Sequence, residues 1–288
     1  MRIGLNVARF AAPGGSARLG AELVRVARRA EAVGFDTFWV WDHFFWDESP
    51  GGPGVTDREM IEAFTTLGFV AGATHTIKLG TMVASATYRH PGVLVKQVTT
   101  LDVLSEGRAG LGIGAAWNVE ESEGLGFRFP PVAERFERLE ETIKICLQMW
   151  SDSEEPFDGK HYQLGRTLNS PQSLQRPRPY LMIGGSGEKK TLRLVATYAD
   201  ACNISASPEA GHKLDVLRQH CEDVGRDYEQ VEKTTMIIID PATTSDGIVR
   251  TASGLRDLGF TAAYIAAKSI TEPARVIDLV AAALPELG

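Results

Sequence analysis

Apolar residues along the chain follow two spacings in turn, and this alternation predicts a repeated strand–helix unit. Short apolar, β-branched and aromatic runs, typical of strands, are each followed by a segment with apolar residues three and four positions apart, typical of amphipathic helices. Glycine follows several of these segments, as at Gly34 and Gly259, where a helix would end in a left-handed residue. The predicted strands are 2–7, 35–41, 77–84, 108–113, 180–183, 200–204, 234–239 and 260–266.

Strands that alternate with helices predict an α/β protein with a parallel sheet. Eight such units in 288 residues favour a closed (β/α)8 barrel, the TIM barrel, over a doubly wound sheet. A doubly wound chain would more often be shorter or split in two. We therefore expect one barrel domain over residues 1–288, with insertions after the fourth strand.

The regular rhythm breaks after the fourth strand. Residues 115–131 predict a long loop, an amphipathic helix follows from Val132 to Trp150, and residues 151–179 contain no long periodic segment. Long irregular segments inside a compact domain are usually functional, so we expect 115–179 to form a lid region. The helix after the second strand is expected to be capped by Asp57.

The net charge and the cysteine content limit which binding partners and which cellular compartment are expected. With 30 Lys and Arg against 37 Asp and Glu, the net charge of −7 gives no general attraction for nucleic acid or for an anionic membrane. No apolar run reaches the roughly 18 residues of a membrane span, and the N-terminus lacks a signal-peptide layout. The three cysteines are odd in number and widely spaced, which favours buried thiols in a reducing compartment, and we expect a cytoplasmic protein.

In a (β/α)8 barrel the functional residues lie at the carboxyl ends of the strands. The second strand ends at Asp42 and His43, within the aromatic sequence Phe38 to Trp46. Histidine gains or loses a proton near neutral pH, and the aromatic surroundings suit a flat ligand. His43 could instead have a purely structural role, in which it ends the strand through a backbone hydrogen bond. The aromatic surroundings favour the functional interpretation over this structural one.

Gly184-Gly185-Ser186-Gly187 ends the fifth strand and opens a helix. Glycines let backbone N–H groups converge, and a helix N-terminus favours an anion. Lys189 and Lys190 add positive charge to an acidic chain. The segment predicts a phosphate site, although a tight strand-to-helix turn would also need glycine.

Other chemical motifs are not supported. The glycines at 110, 112 and 114 lack the following helix that a dinucleotide fingerprint requires. The six histidines show no metal-ligand spacing, and neither a C-x-x-C nor a Gly-x-Ser-x-Gly motif occurs. We therefore expect no metal site.

Together these motifs resemble the bacterial-luciferase-like flavin and deazaflavin oxidoreductases, a (β/α)8 family. The resemblance covers essentially the whole chain and is carried by segments 34–45, 78–118, 129–141 and 181–203. They are most similar to the branch that uses the deazaflavin coenzyme F420 rather than FMN.

The resemblance implies roles for individual residues. Asp42 and His43 match a pair whose histidine lies against the central ring of the cofactor and donates or accepts a proton, while Asp42 positions the cofactor or the imidazole. Met82 and Val83 match a bulge that often holds a non-proline cis peptide behind that ring. The other positions implied to bind the cofactor are Ser85, Ala115, Ala116, Asn118, Gly185, Ser186, Gly187, Lys189 and Lys190.

Two residues depart from the family pattern. The sugar-phosphate dehydrogenases of this family carry a glutamate near position 117, where this chain has Trp117, and many relatives have glycine in place of Ala116. Sugar phosphates are therefore expected to be poor substrates. Trp46 and Trp117 fall just past strand ends and are expected to line the substrate pocket.

The sequence thus predicts an F420-dependent oxidoreductase that transfers a hydride between reduced deazaflavin and a small organic substrate. Dimerisation is the habit of the family, so a homodimer is expected. One alternative is an FMN-dependent monooxygenase that uses reduced flavin and O2, and another is a non-catalytic barrel that binds a flavin-like ligand. A nicotinamide dehydrogenase is disfavoured by the broken glycine fingerprint.

Overall fold

The computed structural model describes residues 1–7, 15–45, 60–240, 242–267 and 273–287. Strands and helices alternate through most of these ranges. In chain order the elements are β1 (Arg2–Val7), α1 (Ser16–Val33), β2 (Thr37–Val40), α2 (Ala63–Ala71), β3 (Lys78–Thr81), β4 (Ala84–Ser85), α3 (Pro91–Leu104), β5 (Ala109–Gly114), α4 (Val119–Gly124), α5 (Val132–Trp150), β6 (Phe157–Asp158), β7 (Gln163–Leu164), β8 (Tyr180–Gly184), α6 (Thr191–Tyr198), β9 (Ala201–Asn203), α7 (Ala210–Asp223), a 3-10 turn (Tyr228–Gln230), β10 (Glu232–Ile239), α8 (Ser245–Asp257), β11 (Ala262–Ala267) and α9 (Pro273–Leu287).

The large sheet is parallel and closes on itself. Its strand order is β3-β2-β1-β11-β10-β9-β8-β5-β4, and the pairing of β3 with β5 at Leu79–Ala109 and Gly80–Gly110 completes the circle. Because β3 and β4 are two halves of one strand interrupted at 82–83, the barrel has eight strands. The predicted (β/α)8 barrel is confirmed. That residues 1–288 form one domain stays a prediction, since part of the chain lies outside the described ranges.

The insertion lies between β5 and β8, which agrees with its predicted place after the fourth barrel strand. It holds α4, α5 and the antiparallel β6–β7 hairpin. The prediction of an irregular loop over 115–131 was wrong at α4, a short helix that begins after Asn118. The side-chain oxygen of Asn118 accepts a hydrogen bond from the Glu121 N–H at 3.2 Å and so caps this helix.

Helix α2 also begins differently from the prediction. Glu62, not Asp57, precedes its first residue, and its carboxylate accepts a hydrogen bond from the Thr65 N–H at 2.7 Å. Asp57 lies outside the described residues. In the part of the chain that the structure describes, the helices are all too short or too polar to cross a membrane.

Three aromatic rings fill the middle of the barrel. Trp39 lies 5.4 Å from Tyr264 and 6.3 Å from Tyr180 between ring centroids. Glycine is required around the indole, because a Cβ at Gly80 would lie 2.3 Å from the Trp39 ring and 2.7 Å from the carbonyl oxygen of Gly110. This aromatic plug, formed by Trp39, Tyr180 and Tyr264, separates the carboxyl end of the barrel from a cavity of about 130 Å³ at the amino end.

A carboxylate at the end of α1 holds the loop before β3. Oε1 of Glu31 accepts hydrogen bonds from the N–H groups of His75, Thr76 and Ile77 at 2.8, 2.6 and 3.0 Å. Partial burial raises the pKa of this carboxyl, but the backbone hydrogen bonds outweigh that effect and lower its pKa to about 2. Glu31 therefore joins α1 to the start of β3.

Candidate active site

A cavity of about 400 Å³ opens at the carboxyl ends of the barrel strands. It is lined by strand ends from five parts of the sheet and by one face of α5, and most of its wall is apolar. The residues predicted from the sequence that line it are Asp42, His43, Met82, Val83, Ser85, Ala115, Ala116, Trp117 and Gly185. The structure therefore brings most of the predicted site together, while Trp46 lies outside the described residues.

His43 stands at the wall of this cavity directly after β2. Its ring meets Trp41 and Trp117 edge to face, at 5.8 and 5.6 Å between centroids. Its Nδ1 lies 2.7 Å from Oε2 of Glu121, and 13% of the side chain is exposed. The imidazole is thus held between two indoles and one carboxylate.

Glu121 is the site residue that the sequence reasoning missed. Its side chain is fully buried, and its carboxylate also accepts hydrogen bonds from the Tyr88 hydroxyl at 2.6 Å and from the Phe44 N–H. Burial raises the pKa of this carboxyl, but the hydrogen bonds from His43, Tyr88 and Phe44 outweigh burial and lower it. The spacing Asn118-x-x-Glu121 is the signal that could have found it, since that pattern begins helices.

Asp42 lines the cavity and is paired with an arginine, while its implied role in positioning the cofactor or the imidazole stays a prediction. Its two oxygens accept hydrogen bonds from the Arg89 guanidinium at 2.6 and 2.8 Å, and Oδ2 also accepts from the Ser85 N–H at 3.2 Å. Arg89 is itself only 8% exposed and pairs with Glu62 as well. Asp42 thus ties β2 to the loop after β4, and the carboxylate of Glu121 contacts the imidazole.

Glycines shape the floor of the cavity. The Met82–Val83 peptide bond is cis, as the resemblance implies. The side chain of Val83 fits between two glycines, since a Cβ at Gly184 would lie 2.9 Å from its Cγ1 and a Cβ at Gly114 would lie 3.1 Å from its Cγ2. The backbone at 82–83 consequently forms a fixed surface under the cavity, against which a flat ring can lie.

The glycine turn after β8 leads from this floor to the start of α6. Gly185 has a φ of 120°, in the region that favours glycine, and its N–H bonds to the Asn203 carbonyl at 3.0 Å. Ser186 accepts a hydrogen bond from the Ser205 N–H at 3.3 Å. A Cβ at Gly187 would lie 2.8 Å from Oγ1 of Thr191, so this turn is closely packed against the first turn of the helix.

Charges beside this turn favour an anion. Lys189 and Lys190 are exposed at the start of α6, and Nζ of Lys190 lies 5.5 Å from the ring centroid of Phe136, a cavity residue. The acidic residue of the turn, Glu188, is drawn away from them by Lys213 at 2.5 Å. The hydrogen bond from Lys213 lowers the pKa of Glu188, which keeps that pair charged at neutral pH.

The segment after β5 forms the wall beside the glycine turn, because β5 and β8 are neighbouring strands. Ala116 has a φ of 64°, a left-handed conformation that explains why glycine would be favoured there. Nη1 of Arg135 donates to the carbonyl oxygens of Ala115 and Ala116, and its guanidinium lies 4.3 Å from the ring centroid of Phe129. The side chain of Asn118 caps α4, and its expected position near the cofactor stays a prediction.

The model of the luciferase-like monooxygenase family matches residues 1–283. The chain belongs to this family. Among curated relatives it is 31% identical over 235 residues to an F420-dependent glucose-6-phosphate dehydrogenase of Kineococcus radiotolerans, covering 77% of this chain and 65% of that protein. It is 34% identical over 228 residues to a protein of the same name from Amycolatopsis mediterranei, covering 75% and 64%. The matched region thus spans slightly less than two thirds of these relatives.

Two solved structures share the fold of this chain. An F420-dependent secondary alcohol dehydrogenase bound to an F420–acetone adduct superposes with a TM-score of 0.86 at 18% identity, over 100% of this chain and 99% of that one. The monooxygenase RslO1 from Streptomyces bottropensis superposes with a TM-score of 0.82 at 17% identity, over all of both chains. At these identities the likeness concerns the luciferase-like barrel alone.

Proposed function

We propose that the protein is an F420-dependent oxidoreductase that transfers a hydride between the reduced deazaflavin and a small organic substrate. One observation carries the proposal: a single cavity joins the His43 imidazole to a glycine turn at a helix N-terminus, across the floor at 82–83. Relatives at 31% and 34% identity named for F420 support the choice of cofactor.

The residues present fit a tricyclic ring that carries a phosphate. The ring would lie against the Met82–Val83 backbone, behind which the glycines at 114 and 184 leave room for the Val83 side chain. The phosphate would lie at the turn of residues 185–187, where backbone N–H groups and the ammonium groups of Lys189 and Lys190 favour negative charge. Bound there, the deazaflavin accepts or supplies a hydride at its central ring.

His43 supplies the proton chemistry in this proposal. In the oxidative direction it accepts the proton of a substrate hydroxyl, and in the reductive direction it returns that proton to the substrate oxygen. The indoles of Trp41 and Trp117 hold the imidazole ring and keep water away from one side of it. Asp42 and Arg89 brace the backbone under this residue rather than taking part in the transfer.

FMN is the competing cofactor, because it too has a tricyclic ring and a phosphate. The fold shared with RslO1, named a monooxygenase, favours this second candidate. Native mass spectrometry of the protein incubated with equal amounts of F420 and FMN distinguishes the two. We expect the F420 complex to predominate. Tight FMN binding without F420 binding would contradict the proposal and would support the FMN-dependent monooxygenase instead.

Measurements of turnover distinguish an enzyme from a non-catalytic barrel that only binds its ligand. His43→Ala is expected to keep F420 binding and to lower kcat by about 10²–10⁴-fold, as for other general acid–base groups. His75→Ala, which removes an exposed imidazole in the loop before β3, is the matched control and should be neutral. An unchanged rate in His43→Ala would make His43 a structural residue.

We also propose that the protein is a cytoplasmic homodimer. The thiols of Cys146, Cys202 and Cys221 are free and buried, as suits a reducing compartment. Burial raises the pKa of Cys146 and of Cys202 to about 12, so these thiols stay protonated and unreactive.

A further inference from the structure

The short helix α4 buries one carboxylate under the active-site imidazole while its other acidic side chains are exposed. Glu121 is fully buried, whereas Glu120 and Glu123 on the same helix face solvent. A buried carboxylate is costly unless it is paired and hydrogen-bonded. We propose that Glu121 is a positioning residue that fixes the tautomer and the orientation of His43, a role that rests on the proposed function.

The hydrogen bonds at Glu121 determine which nitrogen of His43 carries a proton. An ionised carboxylate only accepts hydrogen bonds, so the 2.7 Å contact with Oε2 requires that Nδ1 of His43 be protonated. In the neutral ring the lone pair then belongs to Nε2. Glu121 thereby selects the tautomer whose basic nitrogen is Nε2, on a ring that lines the cavity.

Tyr88 and Phe44 hold the carboxylate itself in place. The Tyr88 hydroxyl donates to Oε2 at 2.6 Å and the Phe44 N–H donates to Oε1. Tyr88 is in turn packed between Phe44 and Phe127, at 5.2 Å from each between ring centroids. Burial and the contact with Glu121 raise the pKa of the Tyr88 hydroxyl, so it stays a donor.

The other charged groups near this site have partners of their own. Asp42 on the His43 side is paired with Arg89, which also binds Glu62 from the start of α2. Arg135 of α5 donates to the carbonyl oxygens of the segment after β5. Glu121, which is hydrogen-bonded to Nδ1, therefore responds to a change of charge on the imidazole.

The arrangement matters when the imidazole takes up a proton. In the oxidative direction Nε2 would take the proton as the substrate O–H bond breaks, and a bound deazaflavin would accept the hydride from the substrate carbon. The ring then carries a positive charge beside the Glu121 carboxylate, and Nδ1 keeps its proton throughout. The carboxylate stabilises the charged ring where it forms, without any movement.

Glu121→Gln tests this role because an amide cannot replace the carboxylate here. Three donors face two carboxylate oxygens, so one of them must face the amide NH2 group. If the NH2 group faces Nδ1, the proton moves to Nε2; if the amide is flipped, the Phe44 N–H is left without its acceptor. We expect kcat to fall by about 10²–10⁴-fold, as when a histidine adopts the wrong tautomer, with little change in F420 affinity.

Nitrogen-15 NMR of His43 gives the readout that a merely structural role would not change. In the wild-type protein we expect Nδ1 to be protonated, and in Glu121→Gln we expect Nδ1 to lose its proton at neutral to mildly alkaline pH. Glu120→Gln and Glu123→Gln remove exposed charges from the same helix and should leave both the signal and kcat unchanged. Glu121→Asp keeps a carboxylate and should restore part of the lost rate.

The outcomes separate this inference from the proposed function. A wild-type His43 with an unprotonated Nδ1 would overturn the role of Glu121, and that measurement needs neither a variant nor a substrate. A wild-type rate in Glu121→Gln would do the same. If Nδ1 is protonated as expected but the wild-type protein shows no F420-dependent turnover, the proposed function fails while the assignment of the hydrogen bond stands. Normal turnover in His43→Ala would remove only the catalytic role of His43.

Discussion

Trp117 is the most exposed of the aromatic residues at the cavity, with 63% of its surface accessible, and its ring touches that of His43. Val132 and Phe136 continue the same apolar wall. A polar substrate placed there would leave hydroxyl groups without partners, at about 1–3 kcal/mol for each group. We therefore propose that the residue at 117 favours apolar over polyhydroxylated substrates.

Glucose 6-phosphate is accordingly expected to be a poor substrate, although the curated relatives are named for it. We expect its kcat/KM to be at least about tenfold below that of small neutral alcohols, the ratio that one unpartnered hydroxyl produces. Loss of F420 absorbance on reduction measures both rates in one assay. Efficient oxidation of glucose 6-phosphate would show that Trp117 does not set the substrate class.

Gly187 lies where the cofactor phosphate is proposed to bind. Gly187→Val would place a Cβ 2.8 Å from Thr191 Oγ1 and would fill the space beside the turn. Losing two charge-assisted hydrogen bonds of about 1.5–3 kcal/mol each weakens binding by roughly a hundredfold or more. We expect that loss for whole F420 in titrations, and a smaller loss for a ring fragment without the phosphate.

The control for Gly187→Val is Gly254→Val in α8, where a Cβ would meet nothing within 4 Å. Melting curves of both variants show whether folding is affected. Equal losses of affinity for F420 and for the ring fragment would mean that Gly187 is needed only for the structure of the turn. A large fall in the melting temperature of Gly187→Val would lead to the same conclusion. The left-handed residue of this turn is Gly185, not Gly187, so the effect at 187 arises from space and not from backbone conformation.

Single residues at strand ends could be predicted from the sequence because the barrel fixes where strand ends lie. Asp42, His43 and Ser85 follow or end buried strands, and the structure brings them to one cavity. The partners of these residues could not be predicted in the same way. Glu121 reaches His43 across 78 positions of the chain, and that contact depends on how α4 packs under the aromatic segment after β2.

At the level of elements, Glu31 shows how one side chain connects a helix to the next strand. Glu31→Ala removes the acceptor of three N–H groups at the start of β3. We expect a loss of about 1–3 kcal/mol in the free energy of unfolding at pH 7, measured by chemical denaturation. Glu22→Ala is the control, because that carboxylate pairs with Arg25 one turn along the same helix.

The contribution of Glu31 also depends on pH. Its pKa is lowered in the folded protein from 4.5 to about 2, so the unfolded chain binds the proton more tightly. The stabilisation is complete above about pH 4.5 and is lost as the pH falls towards 2. The difference between wild type and Glu31→Ala should therefore shrink between pH 6 and pH 3.5, and a constant difference would contradict the assignment.

The elements themselves were predicted wherever periodicity is strong. The long amphipathic helix α5 and the repeated helix–glycine–strand junctions at Gly34 and Gly259 were found in this way. The break between β3 and β4 was predicted only from the resemblance to the family. Helix α4 was missed because six residues are too few to show a helical period, and its start is marked by capping alone.

At the scale of the whole molecule, α2 and α3 present an apolar face to solvent. Phe69, Val93 and Leu104 are 52%, 54% and 70% exposed, and the last two line a groove of about 580 Å³ between the helices. Helix α2 contains no charged residue, and Lys96 is the one exposed charge on α3. A second copy of the chain packed here would bury these side chains in a two-fold interface.

Val93→Glu combined with Leu104→Glu is expected to convert the proposed homodimer into a monomer, because a two-fold axis brings each new charge into the interface twice. Sedimentation velocity measures the change directly. Leu258→Glu, at an exposed leucine beyond α8, is the control and should leave the dimer intact. A monomeric wild type, or a dimer that survives both substitutions, would place the interface elsewhere or remove it.

The aromatic plug of Trp39, Tyr180 and Tyr264 has a consequence for the kinetics of the enzyme. Since these rings fill the described interior of the barrel below the floor at 82–83, ligands must enter and leave through the mouth at the carboxyl ends of the strands. A cofactor seated on that floor is covered by the substrate that arrives after it. Turnover should follow an ordered sequence in which cofactor binds first and leaves last, so that a substrate analogue slows cofactor dissociation in a stopped-flow experiment.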